Sequence, residues 1–190
     1  MSPPTGRFVR PAAVAQADDL ARIQREAWLA RYGLLVPESA LPPLAQSQAQ
    51  WADLVAASAA DAADAADAAD AVAGPLVLVA TEQDEVVGLL AAAPATDPDL
   101  PDRGWQEILE VAVDGAHTGH GHATRLLTAW ADLSRAAGVE GGVIWVRSED
   151  DDLRGVVKSS GFAADGAHRT LDLHGDGAIT MRMVRLSCVL

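Results

Sequence analysis

The spacing of apolar positions along the chain switches repeatedly between a period near 3.6 and a period of two, and each switch predicts an element boundary. Phe8-Val-Arg10 is a short strand candidate, stopped by Pro11, which has no N–H to donate to a ladder. Leu20, Ile23, Ala27 and Trp28 form a helical stripe, and Asp18 and Asp19 sit where a first turn favours negative charge, so a helix is predicted over 17–31. Pro37, Pro42 and Pro43 interrupt the next stretch, and a second helix covers about 45–58 with Trp51, Leu54 and Val55. Apolar runs at 76–80 and 86–91, joined by a Gln-Asp-Glu turn, predict a hairpin. After a Pro/Asp-rich loop at 94–104, a strand over 105–113 alternates through Leu109, Val111 and Val113. A helix over 121–137 follows, with Ala123, Leu126, Leu127, Trp130 and Leu133 on one face and Gly138 as a left-handed cap. Val143–Val146 is a strand, and a helix at 150–159 starts on an acidic cluster and stops before Gly161. A last hairpin pairs Ala163–Leu173 with Ile179–Val184 across Gly175-Asp-Gly177. This order describes a mixed sheet with helices on both faces, an α/β (α+β) single domain over 1–190.

One segment has no lasting face. Asp61 to Asp70 repeats Asp-Ala-Ala, and a period of three drifts by about 60° per repeat around a helix. Residues 59–73 are therefore expected to be a solvated, partly helical or mobile insertion. The remaining composition suits a full-sized core, with 49% hydrophobic residues in 190. A formal net charge of −13 argues against nucleic acid and anionic membrane surfaces as partners, and it favours amine-bearing small molecules. The single cysteine, Cys188, excludes an intramolecular disulfide and suits a reduced thiol. With no apolar run long enough to span a bilayer and no basic-apolar leader, a cytoplasmic protein is expected.

The chemistry gathers at one turn. The strand ending at Val113 runs through Asp114 to His117 into Thr118-Gly-His-Gly121-His-Ala123, and the helix begins there. Glycines at 119 and 121 let main chain approach an anion, and unpaired N–H groups at a helix start point at it. Two readings stand at this point. One is a site for a phosphate-bearing ligand; the other is an ordinary strand–helix connection that uses glycine for its positive-φ positions.

In this context the turn resembles the signature of the GNAT family of acyl-coenzyme A-dependent N-acetyltransferases, Gln/Arg-x-x-Gly-x-Gly/Ala after a strand ending in valine. The resemblance extends to Val9-Arg-Pro11 before an Ala/Asp-rich first helix with Trp28, to Val87-Gly88 in the third strand, and to Gly161-Phe162 after the fourth helix. It covers nearly all of the chain outside 59–73. Two positions depart from the pattern: Thr118 replaces the leading Gln/Arg, and His120 replaces the usual basic residue. The resemblance implies a central, mostly antiparallel sheet of six or seven strands, flanked by about four helices and splayed between strands four and five. It implies acetyl-CoA as cosubstrate. The backbone of Gly119, His120, Gly121, His122 and Ala123 would cradle its pyrophosphate, with Thr118 and Thr124 at the rim. Val111, Ala112 and Val113 would lie along the pantetheine arm, and the Val111 amide would face the thioester oxygen. Arg125 and Lys158 are candidates for the outer phosphates or for plain solvated faces, and Asp150 falls where the family commonly has Asn.

Aminolysis of a thioester needs a neutral amine, so a base is required. In some family members a glutamate on strand four serves, and counting back from Val113 matches Glu107. Glu110 is the other strand carboxylate; simple alternation points it to the opposite sheet face. Where a tyrosine often protonates the leaving thiolate, this chain has Val157, and His168 or a water are the substitutes. Trp28 and Tyr32, the only tyrosine, would line the acceptor pocket or pack in the core. His117, His120 and His122 raise a metal reading. Such a site also needs fixed geometry and usually a carboxylate or a fourth ligand, and two of the rings would splay outward from a turn wrapped on pyrophosphate, so no metal is expected. The implied activity is acetyl transfer to a primary amine of a small molecule or protein; the other readings are a non-catalytic acyl-CoA-binding module and a metal-binding protein. Met181, Met183 and Val184 on the last hairpin suggest a face for homodimer pairing.

Overall fold

A computed structural model describes residues 6–65, 73–101, 104–173 and 176–190. Seven strands run β1 Arg7–Pro11, β2 Leu76–Glu82, β3 Glu85–Pro94, β4 Trp105–Val113, β5 Gly141–Arg147, β6 Ala163–Asp172 and β7 Thr180–Val189. Four α-helices are α1 Ala17–Tyr32, α2 Leu44–Ala65, α3 His122–Ala136 and α4 Asp151–Ser159. The strands form one sheet in the order β1-β2-β3-β4-β5-β7-β6. Only β4 and β5 pair in parallel, with α3 as the crossover between them. The mixed sheet, the helix count and the parting of β4 from β5 match the expected α/β architecture.

The continuous apolar runs of β2 and β3 are explained by burial on both faces. Leu78, Ala80, Val87, Leu90, Ile108 and Val111 pack with Leu126, Leu127 and Trp130 of α3 and Val157 of α4. Val77, Val79, Leu89, Ala91 and Ala112 point the other way, onto Leu20 and Ile23 of α1 and Trp51 and Val55 of α2. Gly138 takes the left-handed conformation at φ 78° after α3, as expected.

Two boundaries differ from expectation. Helix α2 runs to Ala65 instead of stopping near 58, so the repeat begins as helix: alanine propensity outweighs the aspartate spacing. Its far end is tied down, with Ser58 Oγ accepting from the Val77 amide at 3.1 Å and Asp61 accepting from the Gly74 amide at 2.8 Å. The rest of the repeat, 66–72, lies outside the described residues, as do 102–103 of the 94–104 loop and Gly175 of the last hairpin turn. Strand β7 continues to Val189 instead of ending at Val184, because it is an interior strand that pairs β5 as far as Gly141↔Val189. That placement also removes the free methionine face. Met183 is 6% exposed, and Met181 and Met183 both line an interior cleft. Among the described residues no helix is long and apolar enough to cross a membrane.

Buried Gln106 on β4 joins three segments. Its Oε1 accepts from Trp130 Nε1 at 3.0 Å and Ser134 Oγ at 2.8 Å, and its Nε2 donates to the Gly74 carbonyl at 3.1 Å. Gln106→Leu keeps the volume and strands two buried donors, at about 1–3 kcal/mol each. A thermal melt is expected to show Tm lowered by roughly 5–10 °C; an unchanged Tm would refute this role.

Candidate active site

The cleft begins with a break in strand alternation. Across β3, Ala91 pairs Glu110 but Ala92 pairs Ile108, so Leu109 is an extra, bulged residue on β4. The bulge resets the side-chain parity. Ile108 and Val111 share the α3 face, while Glu107 and Glu110 both line one cleft of about 390 Å³. The alternation argument that sent Glu110 to the opposite face is therefore wrong. Beyond the bulge β4 leaves β5: their pairing covers only Trp105↔Gly141 to Ile108↔Ile144. The splay opens at residues 109–113.

Helix α1 covers the β4 side of this opening. Gln24, Trp28 and Arg31 recur at i, i+4 and i+7 and converge on Glu110. Trp28 Nε1 donates to Glu110 Oε2 at 2.6 Å, Gln24 Nε2 donates to the same oxygen at 3.4 Å, and Arg31 Nη1 lies 3.5 Å from Oε1. The Glu110 side chain is 10% exposed. Burial raises its pKa above the ordinary carboxylate value, while Arg31, Trp28, Gln24 and the Val111 amide pull against that rise. Arg31 also donates to the Val111 carbonyl at 3.1 Å and stands 3.8 Å from Asp150 Oδ2. It thus straps β4 to the start of α4 across the splay. Asp150 caps that helix, its Oδ1 accepting from the Leu153 amide at 3.0 Å. Arg31 escaped the sequence reading, although its helical spacing from Gln24 and Trp28 was available as a signal.

Glu107 occupies a different environment. Among the described residues its carboxylate makes no hydrogen bond or salt bridge. It lines both the main cleft and a neighbouring cavity of about 560 Å³ with Asp97, Trp145, His168 and Arg169. Burial raises its pKa, opposed by the charge of Arg169. The Arg169 guanidinium lies 4.3 Å from the centre of the Trp145 ring. Arg185 locks the cavity wall, bonding Asp97 at 2.6 Å and Asp165 at 2.7 Å. Trp145 and Arg169 were not singled out in the sequence, because nothing local marks strands that meet only through the β5-β7-β6 order. Tyr32 and Trp28 line the main cleft, Trp28 half-buried rather than in the core. Burial raises the Tyr32 pKa, so its phenol stays protonated at neutral pH. Val157 is fully buried and offers no proton donor. Burial also pushes the Cys188 thiol up to about 11, which makes it a poor nucleophile.

At the far end of β4 the turn has the expected form. Gly119 and Gly121 adopt φ 77° and 79°, and Gly121 is the N-cap of α3. The first helical bond of α3 runs from the Arg125 amide to the Gly121 carbonyl. Among the described residues the amides of Gly119 to Thr124 have no acceptor, and an added Cβ at Gly119 meets only open space. Arg125 folds back to bond the His120 carbonyl at 3.0 Å, which brings its guanidinium to the turn. Lys158 stands exposed on the last turn of α4, and among the described residues it makes no bond to the turn. The Thr118 hydroxyl donates to the Gly115 carbonyl at 3.0 Å. Glu82, at the end of β2, accepts from His122 and Arg7, and these bonds hold its carboxyl down at about 2.

A profile of the Acetyltransferase (GNAT) family matches residues 41–162, more than half of the chain, from before α2 to the end of α4. The chain belongs to the GNAT acetyltransferase family. A curated relative, N-acetyltransferase 8B of Homo sapiens, is 29% identical over 107 residues, 53% of this chain and 47% of that protein. The chain therefore spans about half the length of the curated relative it matches. Among solved structures, the ribosomal-protein-alanine N-acetyltransferase of Brucella melitensis superposes with a TM-score of 0.69 at 22% identity, over 96% of this chain and 99% of that one. The acetyltransferase YncA of Salmonella typhimurium, solved with its cofactor acetyl-CoA, gives 0.69 at 19% identity over 97% and 94%. At these identities the superpositions establish a shared GNAT fold.

The charge on Glu110 has a predicted effect on stability. Its folded pKa lies above the unfolded value, so it stabilises the fold at pH below the ordinary 4.5, and that contribution is lost as pH rises through the raised value. Glu110→Gln removes this loss. At pH 7 the variant is expected to melt at or above the wild-type Tm, and at pH 4, where the wild-type carboxyl is itself protonated, level with it. A large drop at pH 7 would show that the Arg31 pairing dominates instead.

Proposed function

We propose that this GNAT-family chain transfers an acetyl group from acetyl-CoA to a primary amine of a small molecule or protein, by direct attack on the thioester. The observation that carries the reading is the combination on one strand: a bulged main-chain edge that β5 leaves beyond Ile108, a carboxylate in the cleft beside it, and an amide-lined turn at the strand's end.

The amides of Gly119, His120, Gly121, His122 and Ala123 fit a pyrophosphate, being unpaired and set in glycine φ values that leave room for an anion. Arg125 adds charge there, with Thr118 and Thr124 at the rim. Val111, Ala112 and Val113 offer the pantetheine arm the main-chain edge that β5 has left. Trp28 and Tyr32 form the acceptor wall. Glu107 takes the proton from the attacking nitrogen, directly or through a water, as the new N–C bond forms; its free carboxylate suits this better than Glu110, which is already engaged by Trp28, Gln24 and Arg31. Glu110 instead positions Trp28 and Arg31. The Val111 amide faces the developing oxyanion, a contact worth roughly 2.7–4 kcal/mol in other acyl transfers. The C–S bond then breaks, and an alkyl thiol of pKa about 8.5 leaves as thiolate without a dedicated acid. Val157 is thus no obstacle to turnover.

The test is thiol release from acetyl-CoA over a broad panel of amines. Glu107→Gln is expected to lower kcat by roughly 10²–10⁴-fold, while the Tm increase caused by acetyl-CoA persists. With Glu107 as base, wild-type kcat/KM rises with pH through a pKa above the ordinary carboxylate value, and the variant lacks that limb. Acetyl-CoA binding with no release across the panel would favour a non-catalytic acyl-CoA-binding module, the reading suggested by Val157 and Thr118.

A further inference from the structure

Two histidines of the turn, His120 and His122, converge on a carboxylate supplied by another strand. Positive φ at Gln83 (52°) and Asp84 (69°) makes a two-residue turn that ends β2 at Glu82, directly beside the first turn of α3. Glu82 Oε2 lies 2.9 Å from His122 Nε2 and 3.7 Å from His120 Nδ1. One ligand atom from each of the three residues falls within a span of 4.8 Å. The other oxygen, Oε1, is taken by Arg7 at 2.8 Å, which fixes the carboxylate plane and leaves Oε2 to the imidazoles. The His122 side chain is 1% exposed and held by packing, whereas His120 is 46% exposed and leaves the cluster open on the solvent side. The His117 ring centre lies 6.3 Å and 6.4 Å from those of His120 and His122.

We infer that Glu82, His120 and His122 form a site for a divalent transition-metal ion of the zinc class, placed behind the amide turn. Two imidazoles and a carboxylate suit such ions. With metal–ligand bonds near 2.0–2.1 Å, neighbouring ligands of a tetrahedral site stand about 3.3 Å apart, and the two separations from Glu82 bracket that value. The open side leaves room for water as the remaining ligand. The ion would staple the β2–β3 turn to the start of α3 and so stiffen the segment that presents the amides. This needs no acyl transfer, so its test is independent of that reading.

Tag-free protein stripped with a chelator is titrated with zinc chloride and with cobalt(II), following heat, cobalt d–d absorption and Tm. One ion per chain, a Tm increase by mass action and a cobalt spectrum of low coordination number are expected. His120→Ala, at an exposed position, and Glu82→Gln should each weaken binding by more than the roughly 10–100-fold typical of outer-shell changes. His168→Ala, on a distant strand, should bind as wild type. No stoichiometric uptake at micromolar zinc, or equal uptake by His120→Ala and the wild type, would overturn the site; the latter would assign the ions to the acidic surface.

Discussion

Strands β4 and β5 pair over four positions and then diverge, and the organisation of the cleft follows from that parting. A parallel pair held at one end and open at the other leaves the β5-facing main-chain groups of residues 109–113 without a strand partner on that side. A buried backbone polar group without a partner is costly, so the opening must be lined or filled. In this structure Arg31 does so, bonding the Val111 carbonyl and reaching Glu110 and Asp150 across the gap. The bulge at Leu109 is the local cause, because one extra residue turns Glu107 and Glu110 to the same side and bends β4 away from its neighbour.

The electrostatics of the cleft differ from those of the surface. The chain is strongly acidic overall, which draws cations and amines from a distance. Inside, the acidic side chains are matched: Glu110 by Arg31, Asp97 and Asp165 by Arg185, with Arg169 stacked on Trp145. Among the described residues the Glu107 carboxylate makes neither a hydrogen bond nor an ion pair, and burial biases it towards accepting a proton. Long-range attraction and local proton affinity are thus carried by different residues.

The turn at 118–123 shows how a short sequence can serve two structures. Its glycines supply left-handed φ values and its amides are left without acceptors among the described residues. Its histidines at 120 and 122 reach Glu82 at the end of β2. Sequence spacing alone sends the rings outward, because the reach of a strand that ended 38 positions earlier is invisible locally.

Much was legible without coordinates. The apolar periods located α1, α3 and the strands from β2 to β5, since an amphipathic or buried face has to repeat at the period of its element, while an acidic start and Gly161 bounded α4. The Thr118–Ala123 turn was legible too, because only glycine adopts positive φ cheaply. Proline and acidic caps marked several ends for equally local reasons. The tertiary structure alone decided the side on which Glu110 lies, the strap made by Arg31, the place of β7 inside the sheet, and the meeting of Glu82 with the histidines. Each of these depends on register between segments distant in sequence. A bulge changes register by one residue and reverses every side chain beyond it, and no local pattern on β4 encodes where β3 will absorb that shift.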